Sequence, residues 1–441
     1  MDDWLTVAAR RLPEHPAVEA PDGSVSYAEL DLQADRVARR LAGLGVEQGG
    51  RVATTLSPST DFCALLHAVL RIGAALVPLN TRLSADEQRA QAAAVRADVI
   101  VDRPLDGMEA EIKPRRDLDP DAIHTVVFTS GTEGKPKPVE LTVGNQDASA
   151  AASATALGVA SGDRWLCALP LFHVAGLGIL VRCARNGTTA VLHDRFEPAA
   201  AAAALADDGV SLVSLVPTQL RRLRNVGLLH APHLRVLLLG GGPIPPDLVE
   251  WARDAGLPVR CTYGMTETAS QIAVTAPWGS AATPLPGVEL EIGEERQILV
   301  RGPMVSPGAV GDDGWLHTGD RGHIDHHGRL HVEGRIKELI VTGGEKVGPA
   351  AVEAVVVEHP SIADAGVAGT PDPEWGEAVT AFVVERTPVS DYDLLAFCRQ
   401  RLAGYQVPKR VVRVESLPRN AAGKLLRAQL GNEKPAPRDL G

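Results

Sequence analysis

The chain has 441 residues, too many for a single ordinary core, so two or three domains are expected. Hydrophobic residues make up 45% and charged residues 22%, the balance of a soluble globular protein. A formal net charge of −11 argues against nonspecific binding to nucleic acid, because nothing over a large face would offset phosphate repulsion; a small anion held by local donors stays open.

The N-terminus, Met1-Asp2-Asp3-Trp4, lacks the basic and apolar regions of a signal peptide. No stretch reaches the roughly 18 apolar residues of a membrane helix, so a cytoplasmic protein with no membrane partner is expected. Cys63, Cys167, Cys183, Cys261 and Cys398 are odd in number, scattered and without C-x-x-C spacing, which reads as reduced, mostly buried thiols.

Helical periods alternate with short β-branched runs, the pattern of an α/β protein whose sheets are largely parallel and wrapped by helices. Ser26 followed by Glu29 predicts a capping box opening a helix to about Leu44. Strands are predicted at 51–55, 74–77, 126–129, 164–168, 212–216, 236–239 and 259–262, and the Ala-rich pieces 148–157 and 198–206 read as helices packed closely on a sheet. Near Glu289 the texture changes to short strands and turns, at 289–292, 297–301 and 328–332. Beyond Gly334-Arg335-Ile336-Lys337 a compact α+β pattern of about 90 residues is predicted to run to Leu430, with a helix at 349–358 and strands near 363–369 and 379–385. The expected domains are therefore 1–336, with a β-rich subdomain from about 285, and 338–430, followed by a disordered tail at 431–441.

Seven segments could carry chemistry. The run Thr129-Ser130-Gly131-Thr132-Glu133-Gly134-Lys135-Pro136-Lys137 follows an apolar segment and has the makings of a phosphate loop: glycines let successive N–H groups converge on an anion, and hydroxyls and lysines add donors and charge. It does not fit the nucleoside-triphosphatase P-loop, because Lys135 is followed by Pro136. Leu169-Pro170-Leu171-Phe172-His173-Val174-Ala175-Gly176 reads as a loop bracketed by Pro and Gly, and Gly240-Gly241-Gly242-Pro243 follows the strand ending at Leu239. Thr262-Tyr263-Gly264-Met265-Thr266-Glu267 likewise stands at a strand end, where open α/β sheets bind ligands. Gly314-Trp315-Leu316-His317-Thr318-Gly319-Asp320, Gly334-Arg335 and Leu417-Pro418-Arg419-Asn420-Ala421-Ala422-Gly423-Lys424 complete the set. A turn, a satisfied core histidine or a solvated surface charge would explain most of these taken singly.

In order and spacing, however, the segments resemble those of the adenylate-forming superfamily: the acyl-CoA synthetases, adenylation domains and luciferases. That resemblance covers roughly residues 15–430 and implies a large N-terminal domain with a small mobile C-terminal one. It implies a two-step reaction in which a small-molecule carboxylate is adenylated with ATP and Mg²⁺, then passed to coenzyme A. By the same resemblance, Thr129, Ser130, Gly131, Thr132, Gly134, Lys135 and Lys137 hold pyrophosphate; Gly241, Gly242 and Pro243 lie along the adenine and acyl group; and Thr262, Tyr263, Gly264 and Met265 frame the adenine, with Tyr263 stacking on it. Thr266 donates to the α-phosphate, Glu267 holds Mg²⁺, Asp320 takes the ribose hydroxyls, Arg335 contacts the nucleotide, and Lys424 neutralises charge on the α-phosphate. Lys337 matches the hinge, and Gly343, Gly344 and Glu345 the loop that forms the thiol channel.

Length and the segments 138–142, 214–220 and 237–243 look most like the branch that activates o-succinylbenzoate for menaquinone synthesis. Its compact aromatic diacid suits a pocket of Phe172, His173, Gly176, Val216, Thr218 and Gly241, with Thr218 or Gln219 at a helix start taking the second carboxylate. Arg182 and Arg222 are further candidates for that charge, each reading more readily as a surface arginine. An aryl- or medium-chain acyl-CoA ligase and a catalytically silent nucleotide-binding protein are the competing readings, and the oligomeric state, a homodimer included, is open. Glu133, Pro138 and Lys346 depart from the superfamily pattern, which favours Thr or Ser, Gly, and Asn there; Lys346 is assigned to the thiol substrate's phosphates.

Overall fold

A computed structural model of the chain describes residues 1–129, 136–228, 230–419 and 425–430. Residues 130–135 of the anion loop, Lys424 and the tail 431–441 lie outside them. Two compact units are present: one of 1–241, 252–290 and 300–316, and one of 242–251, 291–299 and the residues from 317 onward.

The first unit holds two sheets. In the smaller one the strands run in the order Val99–Val101, Arg51–Thr54, Ala75–Pro78, Ile123–Thr129 and Lys137–Thr142, the first four parallel and the last an antiparallel edge. Ala75–Pro78 is buried along its whole length, as a parallel strand covered on both faces must be. Pro138 falls on the edge strand opposite Phe128, where a missing N–H is tolerated.

The other sheet contributes the platform that matters for function. Its parallel strands Val259–Met265, Val236–Leu239, Leu212–Leu215, Arg164–Cys167, Thr189–Leu192 and Pro16–Ala20 lie side by side in that order. Leu215, Leu239 and Cys261 are in register, so the residues that follow them emerge together at one end of the sheet.

Helices pack closely because their contact faces are small or capped. Tyr27–Gly43 begins with the expected capping box, Ser26 accepting from the Glu29 N–H and Glu29 accepting from the Ser26 N–H. The Ala-rich helix Val143–Leu157 has a second box, Thr142 with Asn145, and the Asn145 amide also donates to the carbonyls of Pro303 (2.8 Å) and Val305 (2.9 Å). Arg71, fully buried, ties three helices through Asp3 (2.9 Å), Asp31 and Asp35 (2.7 Å).

The second unit contains the antiparallel pair Leu316–Ile324 and Leu330–Arg335, and a small sheet ordered Glu345–Val347, Ile340–Thr342, Gly376–Glu385 and Ile362–Asp372, with Arg410–Arg413 parallel to Gly376–Glu385. Val352, Val356, Val367, Val379, Val383 and Leu394 form its core beneath the helices Pro349–Val357 and Asp391–Arg399. Among the described residues no helix is long and apolar enough to cross a membrane. Four of the five cysteines are buried and none is paired; burial pushes the Cys167 and Cys183 thiols up to about 12, where they are inert.

Candidate active site

Four neighbouring parallel strands deliver the predicted motifs at their C-terminal ends. Arg164–Cys167 leads into Phe172 and His173, Leu212–Leu215 into Val216 and Thr218, Val236–Leu239 into Gly241, and Val259–Met265 into Thr266 and Glu267. The approach is tight. A Cβ on Gly240 would sit 2.6 Å from the Thr262 methyl, and one on Gly241, whose φ is +80°, would sit 3.2 Å from a Val216 methyl. Only glycine lets these loops lie against each other.

The last strand changes partners midway. Up to Cys261 it pairs in parallel with Val236–Leu239; from Thr262 it pairs antiparallel with Ser270–Thr275, with a bulge between Tyr263 and Gly264. The bulge re-aims Tyr263 and the turn after it. That turn is pinned: Met265 N–H donates to Thr268 Oγ1 (3.1 Å), Ser306 N–H to the Glu267 carbonyl (2.8 Å) and Ser149 Oγ to the Ala269 carbonyl (2.9 Å). Ala269 and Ser270 take φ of +48° and +101°, strain that the surrounding hydrogen bonds must offset. Glu267 is half-buried on this fixed backbone. Among the described residues no three His, Cys, Asp or Glu side chains are grouped to hold a metal. A lone hard carboxylate therefore fits Mg²⁺ carried mainly by nucleotide phosphates, and does not fit a site built wholly of protein ligands.

His173 caps the helix Val174–Asn186 with its backbone, and its ring lies 4.7 Å from that of Phe172. Burial, assisted by the charge of Arg82, pushes its pKa down to about 4, so the imidazole is neutral at pH 7. Its Nε2 is buried without a hydrogen-bond partner. Gly176 lets the helix press on the loop before it, since a Cβ there would sit 2.5 Å from the Pro170 carbonyl.

Along the helix that His173 caps, a small cavity is lined by Gln146, Ser149, Val174, Gly178, Arg182 and Ala269. Arg182 is not a surface residue, contrary to expectation: it is 3% exposed, with Nε and Nη2 lacking hydrogen-bond partners. Burial lowers its pKa to about 10, which leaves it charged at neutral pH. Gln219 is likewise not available as expected. It accepts from the Val216 N–H (3.1 Å) and donates to the Ala168 carbonyl (3.4 Å), serving the start of the helix Pro217–Asn225. Arg222 is exposed over the Phe196 ring.

Of the anion loop, Thr129 and Lys137 are described: they face each other across the hairpin, Thr129 Oγ1 donating to the Lys137 carbonyl at 3.3 Å. The expectations for Ser130, Gly131, Thr132, Glu133, Gly134 and Lys135 fall outside the described residues. In the second unit Asp320 and Arg335 are cross-strand partners, Arg335 Nε lying 2.9 Å from Asp320 Oδ1, a direct pairing that their spacing in sequence did not suggest. Lys337 is exposed in the turn Ile336–Glu338. Gly343 and Gly344, at φ +58° and +85°, make the two-residue turn of the hairpin Ile340–Val347, and Gly343 packs beneath Trp375. Lys346, expected at the phosphates of the thiol substrate, is paired with Glu295 at 2.7 Å.

A parallel platform with a strand-end tyrosine, a pinned acidic turn and glycine loops defines a nucleotide-using α/β enzyme. A family model described as AMP-binding enzyme matches residues 5–310, and one described as AMP-binding enzyme C-terminal domain matches 351–424; the chain belongs to the AMP-binding enzyme family. The 2-succinylbenzoate–CoA ligase of Bacillus licheniformis is 38% identical over 97% of this chain and 99% of its own. Among solved structures, o-succinylbenzoate CoA synthetase from Bacillus subtilis, in complex with the acyl-adenylate intermediate OSB-AMP, matches with a TM-score of 0.93 at 36% identity over 99% of both chains. The same enzyme in complex with ATP and magnesium ion matches at 0.91 and 36% identity, over 98% of this chain and 99% of that one.

Proposed function

We propose that this protein is an AMP-forming acid–CoA ligase that converts 2-succinylbenzoate to 2-succinylbenzoyl-CoA, acting in the cytoplasm. The carboxylate attacks the α-phosphorus of ATP and pyrophosphate leaves; the thiol of coenzyme A then attacks the acyl carbonyl and AMP leaves. The relatives support this reading, one bound to an acyl-adenylate and one to ATP and magnesium ion.

Each residue has a part in it. Tyr263 stacks on adenine, and the Gly240–Gly241 loop admits the nucleotide and acyl group close to the backbone. Thr266 donates to the α-phosphate. His173 borders the reacting carboxylate as a neutral ring, so it orients the anion without competing for its charge. Glu267 would hold Mg²⁺, which when bound neutralises phosphate oxygens. Asp320 and Arg335 take the ribose and nucleotide, and Thr129, Lys137 and the residues between them take pyrophosphate. Lys424 offsets charge on the α-phosphate during adenylation, and rotation about Lys337 exchanges it for the Gly343–Glu345 loop, which leaves a channel for the thiol.

The observation that carries the choice of acid is Arg182. A buried guanidinium with two nitrogens that lack hydrogen-bond partners, lining a small cavity with Val174 of the helix that His173 caps, is a counter-ion for a second carboxylate. A fatty acid has none to offer. Thioester formation with o-succinylbenzoate, benzoate and octanoate tests this. Turnover of o-succinylbenzoate alone is the expected result; faster turnover of either monoacid would remove the diacid reading. ATP binding without pyrophosphate release on any acid would remove the ligase reading and leave a silent nucleotide-binding protein.

A further inference from the structure

Arg427 stands three positions after Lys424 and is shared by two carboxylates. Its Nε donates to Glu338 Oε2 at 2.9 Å, while its two terminal nitrogens engage both oxygens of Glu353, one at 3.0 Å. Glu353 belongs to the helix Pro349–Val357 and also accepts from the Val367 N–H at 2.7 Å, so it is anchored to the core of the unit. Glu338 is the residue immediately after Lys337.

The described residues on either side of 420–424 are tied to one another and to the unit. Arg419 bridges to Leu425, the Leu426 N–H donates to the Pro418 carbonyl at 2.8 Å, and Arg419 binds both oxygens of Asp364. Burial of Glu353 raises its pKa against the pull of Arg427, so the pair carries a desolvation cost. Holding Arg427 against the core requires only Glu353 and the Val367 amide. The added bond to Glu338 connects that anchor to the residue beside the proposed hinge.

We infer that Arg427 is a positioning residue: with Glu338 it ties the described residues that follow Lys424 to the residue beside the proposed hinge, and through that brace it supports the adenylation half-reaction. This inference rests on the roles proposed above for Lys424 and Lys337.

Glu338→Ala is the informative variant, because it removes the brace while Arg427 keeps Glu353 and no buried charge is orphaned. Acid-dependent ATP–pyrophosphate exchange should fall about tenfold in kcat, the scale of one charge-assisted hydrogen bond, with KM for ATP and acid unchanged. Thioester formation from supplied acyl-adenylate should stay within about twofold, and Glu338→Gln, whose amide oxygen can still accept from Nε, should recover most of the exchange. Equal loss in both half-reactions, unchanged exchange, or a fall in thermal midpoint that accounts for the loss would each overturn the inference. Lys424→Ala run alongside separates the two levels. If it abolishes exchange and Glu338→Ala leaves exchange unchanged, the brace is wrong; if it leaves exchange intact, the role given to Lys424 fails and the inference falls with it.

Discussion

Arg182 is a buried guanidinium that lies over the Trp165 ring at 5.6 Å while its Nε and Nη2 lack hydrogen-bond partners, an arrangement that an arriving anion would improve. Replacing it by methionine keeps the length of the side chain and removes the desolvated charge. Arg182→Met should therefore unfold at the same or a higher denaturant concentration than the native chain, while kcat/KM for the diacid falls by more than about 100-fold, the scale of a broken buried ion pair. KM for ATP should not change. Loss of stability with retained diacid turnover would show that Arg182 is structural. Sequence offered Arg182 as a candidate for the second carboxylate but did not reveal its burial, because a single arginine in Gly178-Ile179-Leu180-Val181-Arg182-Cys183 could equally be the polar edge of its helix; burial depends on how helices Val143–Leu157 and Val174–Asn186 meet. The positions of Tyr263 and Glu267 were legible because strand-end placement follows from the apolar run before them. Trp375 against Gly343 and Arg427 against Glu338 were not, being contacts between residues far apart in sequence.

Among the elements, the strand Val259–Met265 is the one whose geometry the site depends on most. A Cβ on Gly264 would stand 1.7 Å from the Ser270 carbonyl oxygen, so the two antiparallel strands would have to part at the bulge that aims Tyr263. Gly264→Ala should lower stability by about 1–3 kcal/mol in urea unfolding and weaken ATP binding measured by titration. Gly242→Ala, where a Cβ meets nothing within 4 Å, is the matched control and should leave stability within about 0.5 kcal/mol of the native chain. Native-like ATP affinity in Gly264→Ala would show that the bulge does not set the position of Tyr263. The parallel strands of this sheet were readable as continuous apolar runs, and the helix Tyr27–Gly43 from its capping box. Gly23–Ser26, Lys137–Thr142 and Ser270–Thr275 were not foreseen. The first two are partly exposed edge strands and the third follows the motif ending at Glu267 with no element assigned to it, so what makes each a strand is its neighbour.

At the scale of the molecule, the change in texture near Glu289 was visible in the sequence, but the grouping of 291–299 with the residues from 317 onward was not, because it rests on long-range pairing. One bulk property of the first unit follows from its interior. His67, His124 and His173 are each buried and pushed down to about 4, so in the folded state they stay neutral across the range where an unfolded chain, with histidines near 6.5, would bind protons. Below about pH 6.5 the unfolded state therefore gains protons that the folded state refuses. The stability these residues permit is complete above that value and declines as pH falls toward about 4, by up to roughly 1.4 kcal/mol per pH unit for each histidine. Urea unfolding of the first unit between pH 7.5 and 4.5 should show a midpoint that is flat above about 6.5 and drops below it. His124→Gln, which replaces the partner of Gln146 and removes one titrating group, should make that drop shallower by about a third. A midpoint that holds steady down to pH 5, or a slope unchanged by the substitution, would mean that these rings are protonated within the fold, and the neutral His173 assigned to the reacting carboxylate would have to be given up with them.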